Sequence, residues 1–166
     1  MNIIAQMNFK AITLKSEKGP FWDIITEAGV SRPVEDIYHQ PSGLITFWTT
    51  CLWDTGATHS AITKATASAL GLVASGEAKI VYGSGAAITK FYTIALTLPN
   101  LLFVPEIWVT ESDTDDGFGI ILGMDVICMG DFAITNVGGV TTFSFCVPSL
   151  ETIDFVQRIA GFEGAE

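Results

Sequence analysis

The groups available for chemistry in this sequence are few in kind: two histidines, three cysteines, and 18 aspartates and glutamates. A serine or cysteine nucleophile needs an imidazole base, yet the histidines are only His39 and His59 and no Gly-x-Ser-x-Gly elbow occurs. Hydrolytic chemistry must therefore use carboxylates or a metal. Cys51, Cys128 and Cys146 are odd in number, lack a Cys-x-x-Cys spacing and have no histidine beside them to complete a zinc set, so they read as buried free thiols of a reducing compartment. His59 follows Asp54 on the entry to a short helix and reads as a surface or capping residue, with a ligand or base role as the weaker alternative.

Two further patterns fail on spacing. In the acidic stretch 111–117 the glycine falls one position early for a calcium loop counted from Asp113, and Met124 stands where the bidentate glutamate is needed. That stretch reads as a solvated turn. Gly117-Phe-Gly119-Ile-Ile-Leu-Gly123 misses the dinucleotide spacing by one residue and ends a strand instead of opening a helix. Neither a metal nor an organic cofactor is expected.

What remains is Asp54-Thr55-Gly56-Ala57-Thr58, preceded by apolar residues. A carboxylate at the end of a buried strand, followed by a glycine that lets backbone amides approach, is a carboxylate held by hydrogen bonds. Alone, the tripeptide serves equally well as an ordinary turn.

The elements that must position it are mostly strands. Residues 1 to about 50 alternate short apolar groups with turn signals such as Lys18-Gly19-Pro20 and Gln40-Pro41-Ser42-Gly43, favouring strands and loops over long helices. Ile45 to Trp53 is β-branched and aromatic and delivers the chain to Asp54. Ser60 to Gly71 predicts one short helix, with Ser60 as its cap and Gly71 as its stop. Residues 78–82 and 88–98 flank Gly83-Ser84-Gly85 as a hairpin with a glycine-rich tip. Strands are expected from Leu101 to Thr110 and over 118–122, a short helix near Asp125, and a last hairpin of 132–136 and 140–147 about Gly138-Gly139. In the tail, Ile153, Val156 and Ile159 recur three apart, as on a surface helix.

Taken together and in order, these pieces resemble the retropepsins and their cellular relatives. Leu52 to Thr58 resembles their catalytic loop and Ser60 to Leu72 the segment behind it. Val81 to Ala87 resembles the flap, and Ile120-Ile121-Leu122-Gly123 the second hallmark, followed by Asp125 and a helix. The resemblance covers roughly residues 45–147. It implies a mainly β, single-domain fold: a closed or partly open β-barrel with a flap hairpin and one or two short helices.

It also implies an aspartic endopeptidase that places Asp54 of two copies side by side, since no second Asp-Thr-Gly or Asp-Ser-Gly exists here. Thr55 would bond across the dimer, Gly56 would offer its carbonyl to substrate, and Tyr82, Gly83, Ser84 and Gly85 would close over an extended peptide. Tyr82 reads equally as a plain strand residue. Thr58 and Met124 stand where viral members carry an acidic residue and an arginine that brace the dimer, so both members of that pair are replaced together.

Composition bounds the rest. The chain has 166 residues, 49% hydrophobic and 16% charged, which suits one packed domain: a 1–44 extension of strands and loops on the core, a 45–147 core, and a 148–166 helical tail. A net charge of −10 with only 8 lysines and arginines argues against a nucleic-acid partner. The start of the chain lacks the basic region and long apolar run of a signal peptide, and no run is long enough to cross a membrane as a helix, so a soluble cytoplasmic protein is expected. Two other readings stay open: a peptide-binding or scaffolding domain that keeps the fold without cleaving, and an unrelated β-rich module in which Asp54-Thr55-Gly56 is a turn.

Overall fold

A computed structural model describes residues 9–34, 43–82, 85–99, 101–113 and 116–163. The described chain is mainly β, as the strand-like runs of β-branched and aromatic residues require. Its strands are β1 (Lys10–Lys15), β2 (Ile24–Ser31), β3 (Phe47–Trp53), β4 (Ala61–Thr63), β5 (Gly76–Tyr82), β6 (Gly85–Thr97), β7 (Phe103–Ser112), β8 (Ile120–Leu122), β9 (Asp131–Thr135) and β10 (Thr142–Val147). Three α-helices interrupt them: α1 (Lys64–Ala69), α2 (Met124–Ile127) and α3 (Phe155–Glu163).

The larger sheet runs β2-β3-β8-β4-β7-β6-β5, and an additional pairing of β2 with β6 closes six of these strands into a ring, with β5 outside it. The smaller sheet runs β1-β10-β9 and is antiparallel throughout. Both halves of the chain contribute to both sheets: Lys10 pairs with Val147, and Cys51 with Ile120.

The core lies inside the ring and between the two sheets. Ile62, Ile94, Leu96, Ile120 and Leu122 are fully enclosed there, as are Phe143 and Phe145 of β10. Trp53 joins the sheets. Its ring centroid lies 4.9 Å from Phe145, 5.3 Å from Phe143 and 6.0 Å from Phe132, all in tilted arrangements that suit the aromatic quadrupoles. Its indole N–H donates to the Thr26 hydroxyl at 3.0 Å, so no polar group of this buried ring is left unpaired.

Three local expectations change. Ser60 does not cap a helix: residues 61–63 form β4, and the cap of α1 is Thr63, whose hydroxyl accepts from Thr66 N–H at 3.2 Å. Pairing of β4 with β7 and β8 outweighs the helix preference of the alanines, because its backbone groups sit where strands on both sides satisfy them. Gly71 does end the helix, at a φ of +57° that other residues adopt reluctantly. Cys128 is exposed, unlike buried Cys51 and Cys146, because it follows the single turn of α2. The tail helix begins at Phe155, after Ile153, where Asp154 accepts the N–H groups of Val156 and Gln157. Among the described residues no helix is long and apolar enough to cross a membrane.

Candidate active site

Asp54 leaves the end of β3 where that strand runs parallel to β8, with Trp53 opposite Leu122. Its backbone N–H donates to Leu122 O at 2.9 Å, which extends the ladder by one bond and fixes where the chain turns. Gly56 N–H donates to the carboxylate Oδ1 at 2.8 Å, and Ala57 N–H to the Asp54 carbonyl at 3.2 Å. The loop therefore folds back on its own aspartate, which is half-buried, while Thr55, Gly56 and Thr58 are exposed and Ala57 is half-buried. Thr55 and Gly56, assigned their roles by resemblance alone, stand beside Asp54 with both groups open to solvent or to another chain.

The alternation of strands decides which neighbours share that surface. Cys51 and Trp53 point into the core, as do Ile120 and Leu122; Leu52 and Ile121, opposite each other in register, are half-buried on the other face. Ile121 and Leu122 of the second motif thus divide between an outer wall and the core. Gly123 has a different reason to be glycine. A β-carbon there would lie 2.7 Å from the His59 carbonyl carbon and 2.8 Å from Ala57 O, so the turn after β8 crosses the Asp54 loop backbone to backbone. Met124 N–H donates to Ala57 O across this crossing at 2.8 Å.

Sequence reasoning missed the residues that close the far end of the loop. Ser60 is wholly enclosed; its N–H donates to Asp125 Oδ2 at 2.9 Å, and its hydroxyl donates to Asp125 Oδ1 at 2.7 Å. The same hydroxyl accepts from Gly123 N–H at 3.0 Å. The available signal was placement: a hydroxyl just past one motif and a carboxylate just past the other. His59, between them, is exposed and lies against Gly123 through its main chain.

Tyr82 pairs with Gly85 at the end of the β5–β6 hairpin. Gly83, Ser84 and the Tyr82 side chain lie outside the described residues. Gly85 has φ +154°, a backbone conformation that side chains rarely adopt, and open space around it. Below the tip, Val81 and Ile88 expose 76% and 72% of their surface, so the hairpin presents its apolar side chains to solvent.

Other titratable groups are set by burial and partners. Burial pushes the Cys51 thiol up to about 12, only partly countered by its hydrogen bond with Thr26, which keeps it a protonated core residue and no nucleophile. Tyr92 is raised to about 12, first by burial and then by donating its hydroxyl to Glu111, which links β6 to the end of β7. Among the described residues no three His, Cys, Asp or Glu side chains converge as a metal site would. A cavity of about 650 Å³ opens between Phe47, Thr66 and Phe118 beside α1, away from the Asp54 loop. Chemically, the Asp54 corner offers one carboxylate that can act as acid or base but supplies only one of those roles at a time.

Residues 48–126 match the family model described as Aspartyl protease. No curated protein sequence matches the chain. Among solved structures, the fold is similar to the crystal structure of a retropepsin-like aspartic protease from Rickettsia conorii, with a TM-score of 0.53 and 15% identity over 85% of this chain and 97% of that one. The segment that matches contains Asp54, both strands of the hairpin and the Gly123 crossing, so the part of the chain similar to aspartyl proteases is the part that builds this corner, on a retropepsin-like fold.

Proposed function

We propose that the protein is an aspartic endopeptidase that cleaves peptide bonds with a water activated between the Asp54 carboxylates of two copies. The observation that carries this reading is the corner itself: an aspartate held by Leu122 O and Gly56 N–H at the crossing of two motifs, within a segment matching an aspartyl protease model. Two carboxylates a few ångströms apart cannot both ionise cheaply, so they share a proton and titrate as a pair. One member takes a proton from water as that water attacks the carbonyl; the other hydrogen-bonds the carbonyl oxygen and then helps protonate the leaving amine.

In this reading Thr55 locks the two loops together and Gly56 accepts from the substrate backbone. Tyr82, Gly83, Ser84 and Gly85 close over an extended peptide, which gains affinity as an added strand would. Leu52 and Ile121, outward-facing beside the loop, favour an apolar substrate residue there. No cofactor takes part, and the partners are a peptide and a second copy. Support for where that copy joins comes from β9. It is a free edge of the smaller sheet among the described residues, carries no lysine or proline to discourage pairing, and holds Phe132 against Trp53. β1, at the opposite edge, begins and ends with lysine.

The test is cleavage of an unstructured protein between about pH 4 and 7, the range over which such a dyad changes its protonation, with molecular mass measured alongside. Wild type is expected to cleave as a dimer and folded Asp54→Asn to lose at least about a thousandfold, since the dyad supplies both acid and base. A monomeric wild type without activity would leave the fold with a peptide-binding role instead.

A further inference from the structure

We infer that Asp125 and Ser60 form a positioning pair that sets the Asp54 loop for catalysis, with the Asp125 carboxylate as its essential member. The inference rests on the proposed peptidase reading but on different atoms. The loop from Asp54 to Ser60 is held at three stations: at its start by Asp54 N–H to Leu122 O, in its middle by Met124 N–H to Ala57 O, and at its end by Ser60, whose carbonyl accepts Thr110 N–H while its N–H and hydroxyl tie the loop to Asp125 and Gly123 of the second motif. Loss of the third station leaves the strand pairing and the Gly123 crossing in place. The fold persists, with Ser60 still bonded through its carbonyl to Thr110, while the end of the loop loses its carboxylate tie to the second motif.

Asp125 meets the demand of that station because a carboxylate only accepts. Its two oxygens take three donors: Ser60 N–H on Oδ2, and Ser60 hydroxyl and Val126 N–H on Oδ1. Asparagine has the same shape and must turn an NH₂ toward at least one of these donors. Ser60 relays the constraint. Its hydroxyl gives its one proton to Asp125 and takes the N–H of Gly123, so the carboxylate, the loop end and the second motif form one chain of bonds around a side chain with no exposed surface. Neither residue need touch a substrate; each acts on where Asp54 and the Gly56 carbonyl stand relative to the partner's loop. A displacement of about 1 Å in such a constellation costs on the order of a hundredfold in rate.

The experiment compares wild type, Ser60→Ala, Asp125→Asn and the double variant for kcat, KM and mass in solution, together with hydrogen exchange of the Ser60 and Gly123 amides. Expected are a kcat for Asp125→Asn lower by about 10- to 100-fold with KM within about twofold, a smaller loss for Ser60→Ala, and a double variant no worse than Asp125→Asn because the two act as one unit. Wild-type kcat in folded Asp125→Asn, a loss confined to KM, or losses that multiply independently would overturn the pairing. If Asp125→Asn does not fold, Ser60→Ala decides by the same kcat and KM criteria. Should wild type itself fail to cleave, the peptidase reading falls, and exchange alone judges the pair: faster exchange at Ser60 and Gly123 in Asp125→Asn supports it, and unchanged exchange refutes it.

Discussion

The Asp54 corner and the β5–β6 hairpin are both turns between strands with a glycine at the bend, yet they are held in opposite ways. At the corner, Gly123 is glycine because backbone from another loop occupies the space of its side chain. At the hairpin, Gly85 is glycine for its φ of +154°, with nothing near it. The corner rests on Trp53 and three phenylalanines, whereas the hairpin shows Val81 and Ile88 to solvent. The difference teaches where rigidity is needed. Under the proposed function, a reacting carboxylate gains from a fixed position, while an element that opens and closes over a peptide gains from few tertiary ties.

The largest effect that would break this contrast is at Trp53. Trp53→Ala removes the ring that binds the corner to the smaller sheet and takes the indole N–H from the Thr26 hydroxyl, and should destabilise the protein by about 3–5 kcal/mol in denaturant titration. A loss below about 1 kcal/mol would mean that the two sheets hold together without it. Of intermediate size is Gly123→Ala, which pushes a methyl group into the main chain of Ala57 and His59 and should cost about 1–3 kcal/mol. Ile88→Ser on the hairpin should stay within about 0.5 kcal/mol, since its side chain is mostly in solvent already. Equal costs at the two sites would erase the distinction.

The smallest effect sharpens the comparison with a third region, the tail. Asp131 accepts the Ser149 hydroxyl and the N–H groups of Leu150 and Glu151, and these bonds, the Ser149 hydroxyl foremost and the Leu150 amide next, hold its carboxyl below the usual range. A depressed folded value means that the tether is present above the ordinary carboxylate pKa of about 3.9 and is lost as the pH falls through the lowered value. Hydrogen exchange, corrected for its intrinsic pH dependence, should therefore show Leu150 and Glu151 losing protection in that acid window, with Trp53 unaffected. Because the bonds of Asp131 to the tail are exposed to solvent, the change should be local and leave the global unfolding midpoint where it was.

Much of this was legible in the chain because the signals are local. The Ile45 to Trp53 run became β3, the glycine pair at 138–139 became the turn before β10, and Gly71 stopped a helix, each through the conformational preference of a few neighbouring residues. The misses share one cause. Ser60 reads as a cap when only its own neighbours are considered, and its real partner, Asp125, lies 65 positions away. Residues 61–63 look helical until β7 and β8 are there to pair with them. Exposure of Cys128 likewise depends on how short α2 turns out to be, which its composition does not state.

By itself, then, the order of residues determined a mainly β chain with one candidate carboxylate, Asp54, bounded by a strand before it and a glycine after it, because strand preference and turn chemistry act over a few residues. Only the tertiary structure decided that β1 pairs with β10 from the other end of the chain, that Trp53 stands on three phenylalanines, and that Ser60, Gly123 and Asp125 meet behind the loop. Those contacts join distant segments, and they form only because burying the same core brings the segments together and leaves their polar groups no other partners.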